Sequence, residues 1–398
     1  MAKKSMLYLL GDLSVAFTQF AILILITKFY NISEVGIFTY SLAIIAPVSY
    51  LIQMQHRTVY VTGSFSQFNI SEFLLSRTIL FLIFSSISYF FLVTLDKGNE
   101  IFIAVFLWKF GEMLSDLIYG YWQKKNLIIN ISINKVIRSV IQLTVFVSSI
   151  FFNMSLILSL FYLALITILI FIFEFMKIEK ARVLSFNYKL FSQFVIFTFP
   201  LAMYSTLSIL YINIPKYLIE NMLNLSQVAI YSTISYFLVV GNLIINSLIQ
   251  VRLTSLSRSF EINMKDFNKE IKKIIAFIFF IVFLAILFVY FFGEELLKII
   301  YTEEISHNNY LLILLLIGSI FSYASIVIGV VLTIAKEYKI QPILSTLWCT
   351  FHIIISYVFI HFYGLSGAGY SFILSSMFQF ITSLYALDRY VISKKNAT

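Results

Sequence analysis

Ser33-Glu34-Val35-Gly36-Ile37-Phe38 opens an apolar stretch that runs on to Gln55-His56-Arg57. Ser226-Gln227-Val228-Ala229-Ile230-Tyr231 opens a second that runs on to Gln250-Val251-Arg252. The offset is 193 residues at the start and 195 at the end. Each arginine is followed by a polar segment holding a Ser-Phe pair, Ser64-Phe65 and Ser259-Phe260. A repeat of about half the chain, with a cation closing a long apolar helix in each copy, is the layout of a two-lobed membrane transporter.

The composition agrees. Of 398 residues, 60% are hydrophobic and 12% charged, against about 45–50% and about 25% in soluble domains, and the mean hydropathy is +0.94. The apolar runs are too long and continuous for the alternating ten-residue strands of a β-barrel. The expected fold is therefore an all-α polytopic membrane protein. Twelve transmembrane helices are predicted, with cores near 7–29, 36–62, 74–94, 101–122, 131–152, 155–175, 190–214, 227–250, 273–292, 310–334, 342–362 and 367–388. The length of the first span and its Asp12 argue against a signal peptide.

An offset of six helices is even, so equivalent helices cross in the same direction. The repeat is expected to form two six-helix lobes related by a parallel pseudo-two-fold axis. Residues 1–175 form the first lobe, 176–189 a cytoplasmic linker and 190–398 the second lobe. The linker mixes apolar and basic residues, as an amphipathic segment on the inner leaflet would. Loops are expected at 252–272 and, on the outer side, at the acidic segment 293–309.

Of the 28 lysines and arginines, 23 fall on one side of this topology. That skew places both termini in the cytoplasm. It also explains the net charge of +9 without a nucleic-acid partner. The exceptions are Lys28, Lys97, Lys109, Lys216 and Lys298.

Charges inside spans are expensive and usually face a cavity or a partner. At about 100° per residue, Lys109, Glu112 and Asp116 form one stripe on the fourth span. The stripe reads either as a hydrated face that couples a cation or proton, or as a structural ion pair. Asp12 in the first span is a further candidate for ion coupling. Arg57 and Arg252 read either as headgroup-snorkelling side chains or as one cation per lobe that binds an anionic headgroup, to which the arginine fork is suited. Lys28 and Lys216 break the positive-inside trend on the first and seventh spans, the equivalent helices of the two lobes, and are candidate substrate cations. Pro200 and Pro215 predict a bent seventh span. Gly364, Gly367 and Gly369 predict a tight outer turn.

Cys349 is the one cysteine, and His352 and His361 lie on opposite helix faces, so no disulfide framework and no metal site is expected. No Walker A loop or nucleophile elbow is present. No cofactor and no catalytic residue is expected, and the chain is read as not an enzyme.

Several segments resemble the Wzx-type O-antigen flippases, within the superfamily that also holds the MATE drug exporters and the lipid II flippase. They are Ser33-Glu34-Val35-Gly36-Ile37-Phe38, Ile214-Pro215-Lys216-Tyr217 with Gln227-Val228-Ala229-Ile230-Tyr231, Phe292-Gly293-Glu294-Glu295-Leu296-Leu297-Lys298-Ile299-Ile300-Tyr301, and Tyr363-Gly364-Leu365-Ser366-Gly367-Ala368-Gly369. Their order covers nearly the whole chain. The resemblance implies MATE-like lobes in a bacterial inner membrane. It implies a flippase that moves undecaprenyl-pyrophosphate-linked oligosaccharide between leaflets by alternating access. It places cavity cations at Arg57, Lys216 and Arg252. Expected partners are that substrate, membrane lipids, and an O-antigen polymerase or chain-length regulator. Asp12 departs from the arginine that the lipid II flippase carries in its first helix. A MATE-like cation-coupled drug exporter is the nearest alternative, and an O-antigen polymerase a more distant one.

Overall fold

The computed structural model describes residues 2–63, 65, 68–95, 99–178, 187–337 and 339–392. Ser64 of the first Ser-Phe pair, Lys97, most of the expected amphipathic linker (179–186), and Lys394 and Lys395 lie outside the described residues.

Every described element is helical. In chain order these are α1 (Ala2–Phe29), α2 (Ile32–Gln53), α3 (His56–Thr62), α4 (Ile70–Leu95), α5 (Asn99–Lys124), α6 (Ile128–Phe151) and α7 (Leu156–Met176). They continue as α8 (Tyr188–Met222), α9 (Leu225–Ile262), α10 (Met264–Ile300), α11 (Glu303–Ser306), α12 (Asn309–Ile334) and α13 (Ile340–Leu387). Among the described residues, nine helices are long and apolar enough to cross a membrane. A tenth is the bent helix α8, whose segments Tyr188–Pro200 and Ala202–Met222 meet at 47°. The bend falls where Pro200 removes a backbone donor and its ring crowds the preceding turn.

The chain is a multi-pass helical membrane protein, and α6 shows why. Ile133, Val136, Ile137 and Val140 form an exposed apolar stripe, while Lys135, Arg138, Ser139 and Gln142 on the other face are buried. Polar-in and apolar-out is the arrangement that hydrocarbon selects, because a charged group must then find its partner inside the protein.

The chain divides into two compact units, Met1–Ile209 and Leu210–Thr398. In the first, α5 is the hub and packs against α2, α3, α4, α6 and α7, while α1 lies along α6. In the second, α12 packs against α9, α10 and α13.

The repeated strings prove to be helix starts. α2 and α9 follow Asn31 and Asn224, each an extended N-cap residue. Asn224 Oδ1 accepts from Gln227 N at 2.9 Å, and Glu34 Oε2 accepts from Asn31 N at 3.2 Å. Each bond satisfies an amide that the first helical turn leaves open.

The copies then diverge. α2 ends at Met54 (φ 40°) and Gln55 (φ 55°), two left-handed residues that restart the chain as α3. α9 runs unbroken through Arg252 to Ile262. The expected loop 252–272 is instead a helical hairpin about Asn263, whose side chain caps α10. Glu270 accepts from Ser255 and Ser259 across that hairpin. Hydrogen bonds of this kind let polar sequence stay helical outside the apolar span. The expected outer loop 293–309 is likewise largely helical. α10 continues to Ile300, and Lys298 Nζ donates to Glu303 Oε1 at 2.7 Å to join it to α11.

α13 contains two helical segments that meet at Gly364 (φ 56°, ψ −136°), a conformation that glycine adopts readily. A Cβ on neighbouring Gly367 would lie 2.0 Å from the Phe359 carbonyl oxygen, so the two segments touch through a bare backbone.

Candidate functional site

The charged interior of the first unit gathers on α5. Arg57, delivered by the α2–α3 break, donates from Nη1 to Asp116 Oδ1 at 2.7 Å. Its Nε and Nη2 donate to Gln123 Oε1 at 3.2 and 2.9 Å. Gly120 makes room for it, since a Cβ there would meet Arg57 Cγ at 3.1 Å. Arg77 of α4 approaches the other Asp116 oxygen at 3.8 Å and donates to the Met113 carbonyl. Asp116 is thus shared by two arginines. Arg77 is fully buried, whereas the Arg57 and Asp116 side chains are 20% and 30% exposed.

The break that aims Arg57 is held on several sides. Gln55 Nε2 donates to Ser205 Oγ at 2.8 Å, and its Oε1 accepts from Thr58 at 2.9 Å. His56 is buried, with Nδ1 on the Gln53 carbonyl and Nε2 2.8 Å from Ser76 Oγ. Left-handed geometry at a non-glycine residue costs about 1–2 kcal/mol, and such strain concentrates at functional sites.

A second network joins α1, α5, α6 and α7. Lys135 donates to Asp12, and Arg138 donates to Ser115. Arg138 also reaches Glu174 at 3.5 Å, and Tyr119 Oη donates to Glu174 Oε1 at 3.1 Å. Glu174 is fully buried. Taken together, Arg57, Arg77, Lys135 and Arg138 outnumber Asp12, Asp116 and Glu174 by one charge.

The expected site residues fall into distinct settings. Asp116 and Arg57 come together. Lys109 and Glu112 form their own ion pair at 2.8 Å, earlier on α5. Asp12 is bound to Lys135. Lys28 is exposed in the last turn of α1. Arg252, the repeat partner of Arg57, is exposed on α9 and makes no side-chain ion pair among the described residues. Lys216 is half-buried on α8 and likewise meets no anion among the described residues. Among the same residues, no cluster of His, Cys, Asp and Glu has the makings of a metal site.

Arg77, Tyr119, Gln123, Lys135, Arg138 and Glu174 were not picked out from the sequence. A signal existed: Lys135, Arg138 and Gln142 recur at i, i+3 and i+7, which is one helix face. A count of charges per membrane side does not register that spacing.

The arrangement defines a class, a polytopic helical membrane protein with buried and part-buried ion pairs among its helices. Comparison with known proteins narrows it. The profile of a polysaccharide biosynthesis protein family matches residues 121–307. The chain is 29% identical over 386 residues to the capsular polysaccharide biosynthesis protein CapF of Staphylococcus aureus, covering 94% of this chain and 96% of that one. Its fold is shared with the lipid II flippase MurJ in an inward closed conformation (TM-score 0.78, 16% identity, 98% of this chain and 88% of that one). It is also shared with an inward-facing MATE multidrug transporter of the MOP superfamily (TM-score 0.68, 14% identity, 98% and 96%). The sequence matches agree with a resemblance to polysaccharide biosynthesis proteins, and the structural likenesses show a fold shared with the lipid II flippase and the MATE transporter. The structural neighbours are transporters and flippases.

Proposed function

We propose that this chain is a flippase for undecaprenyl-pyrophosphate-linked oligosaccharide, of the O-antigen or capsular kind, carried from the cytoplasmic to the outer leaflet by alternating access. The proposal has twelve spans. The nine apolar helices and bent α8 supply ten, the kink at Gly364 divides α13 into two, and charged α5 adds the last. It retains two six-helix lobes, 1–175 and 190–398, joined by 176–189, with both termini in the cytoplasm of a bacterial inner membrane. In support, the hubs of the two units, α5 and α12, are the fourth and tenth of these spans, six apart.

The observation that carries the reading is the sharing of one carboxylate by Arg57 and Arg77. It sets two guanidinium groups against one carboxylate, and the Arg57 side chain is partly open. A pyrophosphate binds such an arginine with two parallel hydrogen bonds, replacing the water that the headgroup loses. Lys216, Lys28 and Arg252 are proposed as further contacts for the anionic substrate. Asp12, Glu112 and Asp116 each bond a cation, which leaves less support for a drug exporter that binds cationic cargo through carboxylates.

The test is surface glycan in cells that depend on this chain. Arg57→Gln is expected to abolish display while the protein remains in the membrane at normal level, and Arg57→Lys to restore it in part. Full display with Arg57→Gln would sink the headgroup role.

A further inference from the structure

A separate cavity of about 470 Å³ opens where α5 turns into α6 and α7 ends. Its volume lies within the range of about 300–1,000 Å³ typical of small-molecule sites. None of the residues assigned above to the transport site lines it.

The cavity is built by a tight turn. Asn126 takes a left-handed conformation (φ 59°), Leu127 N donates to the Trp122 carbonyl at 2.8 Å, and Asn126 N donates to the Gln123 carbonyl at 3.0 Å. This pair of bonds is the Schellman motif. It ends α5 abruptly and sends α6 back alongside it, so that the end of α5 and the start of α6 flank one opening.

The lining has two characters. Tyr121 and Trp122 form a wall with most of their surface buried. Lys125 comes from the turn and Lys177 from the end of α7, so the cations enter from two sides. Their ammonium groups rest on aromatic faces, Lys125 at 4.6 Å from the Tyr121 ring and Lys177 at 4.2 Å from the Phe173 ring. Asn130 and Asn134, one turn apart on α6, add amide groups. The remaining wall is Leu127 and Ile133, 41% and 51% exposed. Ile133 begins the lipid-facing stripe of α6 that continues through Val136, Ile137 and Val140.

A soluble anion needs no apolar flank, and a neutral lipid needs no pair of lysines. An anionic lipid uses both. We propose that this pocket binds the phosphate of an anionic lipid headgroup between Lys125 and Lys177, with the hydrocarbon chain lying along the α6 stripe. Basic pockets between helices at the cytoplasmic face are a recognised setting for such headgroups, and Trp and Tyr favour that depth. Two lipids carry this chemistry, a bulk phospholipid such as phosphatidylglycerol and a polyprenyl pyrophosphate. The assignment does not depend on the transport reading.

The test uses the full chain in phosphatidylcholine vesicles, with Trp108→Phe and Trp348→Phe leaving Trp122 as the only tryptophan. Chain-brominated phosphatidylglycerol is expected to quench Trp122 with a preference of about fivefold or more over chain-brominated phosphatidylcholine. Lys125→Gln with Lys177→Gln abolishes that preference, and Lys125→Arg with Lys177→Arg retains it. Relief of quenching by a small mole fraction of undecaprenyl pyrophosphate assigns the site to the prenyl carrier. Its persistence assigns the site to phospholipid. Equal quenching by the two brominated lipids in the unsubstituted pocket would overturn the proposal. So would a preference that survives the double glutamine variant, or full relief by soluble inorganic pyrophosphate.

Discussion

Arg57 and Asp116 meet at 2.7 Å although they stand on different helices, and the contact exists because α2 stops at Gln53 and the chain restarts at His56. Had α2 continued as α9 does through Arg252, the side chain would have left the interior. Asp116 in turn neutralises buried Arg77. Asp116→Asn is therefore expected to destabilise the protein by about 1–3 kcal/mol, between the values for exposed and fully buried ion pairs. Thermal unfolding in detergent measures it. An unchanged midpoint would show that Arg77 finds its counter-charge elsewhere.

Glu174 and Arg138 give a stricter case, because both are buried. Glu174→Gln leaves Arg138 without its carboxylate and is expected to cost about 3–5 kcal/mol. Replacing both, Glu174→Leu with Arg138→Leu, is expected to cost less than either single change. A double-mutant cycle on unfolding reads the difference, and simple additivity would contradict the pairing.

How far the sequence foretold these contacts depends on the range over which each acts. The apolar runs, the repeats opening at Ser33 and Ser226 and the bend at Pro200 follow from local chemistry, so they were visible in composition and spacing. Lys109 with Glu112 was visible too, because i, i+3 neighbours share a helix face. Asp116 with Arg57 was not. It depends on two left-handed residues, Met54 and Gln55, that nothing in their side chains demands. The bonds of Gln55 to Ser205 and Thr58, and of Thr198 to Met54, hold them there. For the same reason the repeat suggested that Arg57 and Arg252 are equivalent, and their settings differ.

Gly367 packs against the backbone of Phe359 with no room for a Cβ. Gly367→Ala places a methyl group against the backbone of Phe359, which has no rotamer to yield. The expected loss is about 1–3 kcal/mol or more. It would show as reduced protein in the membrane. Wild-type levels and stability would mean that the two segments of α13 separate more easily than their packing implies.

Asn126 offers a change in the opposite direction. Asn126→Gly relieves left-handed strain in the α5–α6 turn and is expected to raise stability by a few tenths of a kcal/mol to about 1 kcal/mol, whereas Asn126→Val lowers it by at least about 1 kcal/mol. Paired melting curves decide the order, and a more stable valine variant would contradict the turn.

Transport of a lipid-linked glycan is the central claim, and vesicles measure it directly. The purified chain would be reconstituted with undecaprenyl-pyrophosphate-linked oligosaccharide in both leaflets, and a membrane-impermeant glycosidase added outside. The account predicts that the wild-type chain exposes the inner pool to digestion and that Arg57→Gln, equally well folded, leaves it protected as in protein-free vesicles. An inner pool that stays protected with the wild-type chain, or is exposed equally fast with Arg57→Gln, would contradict it.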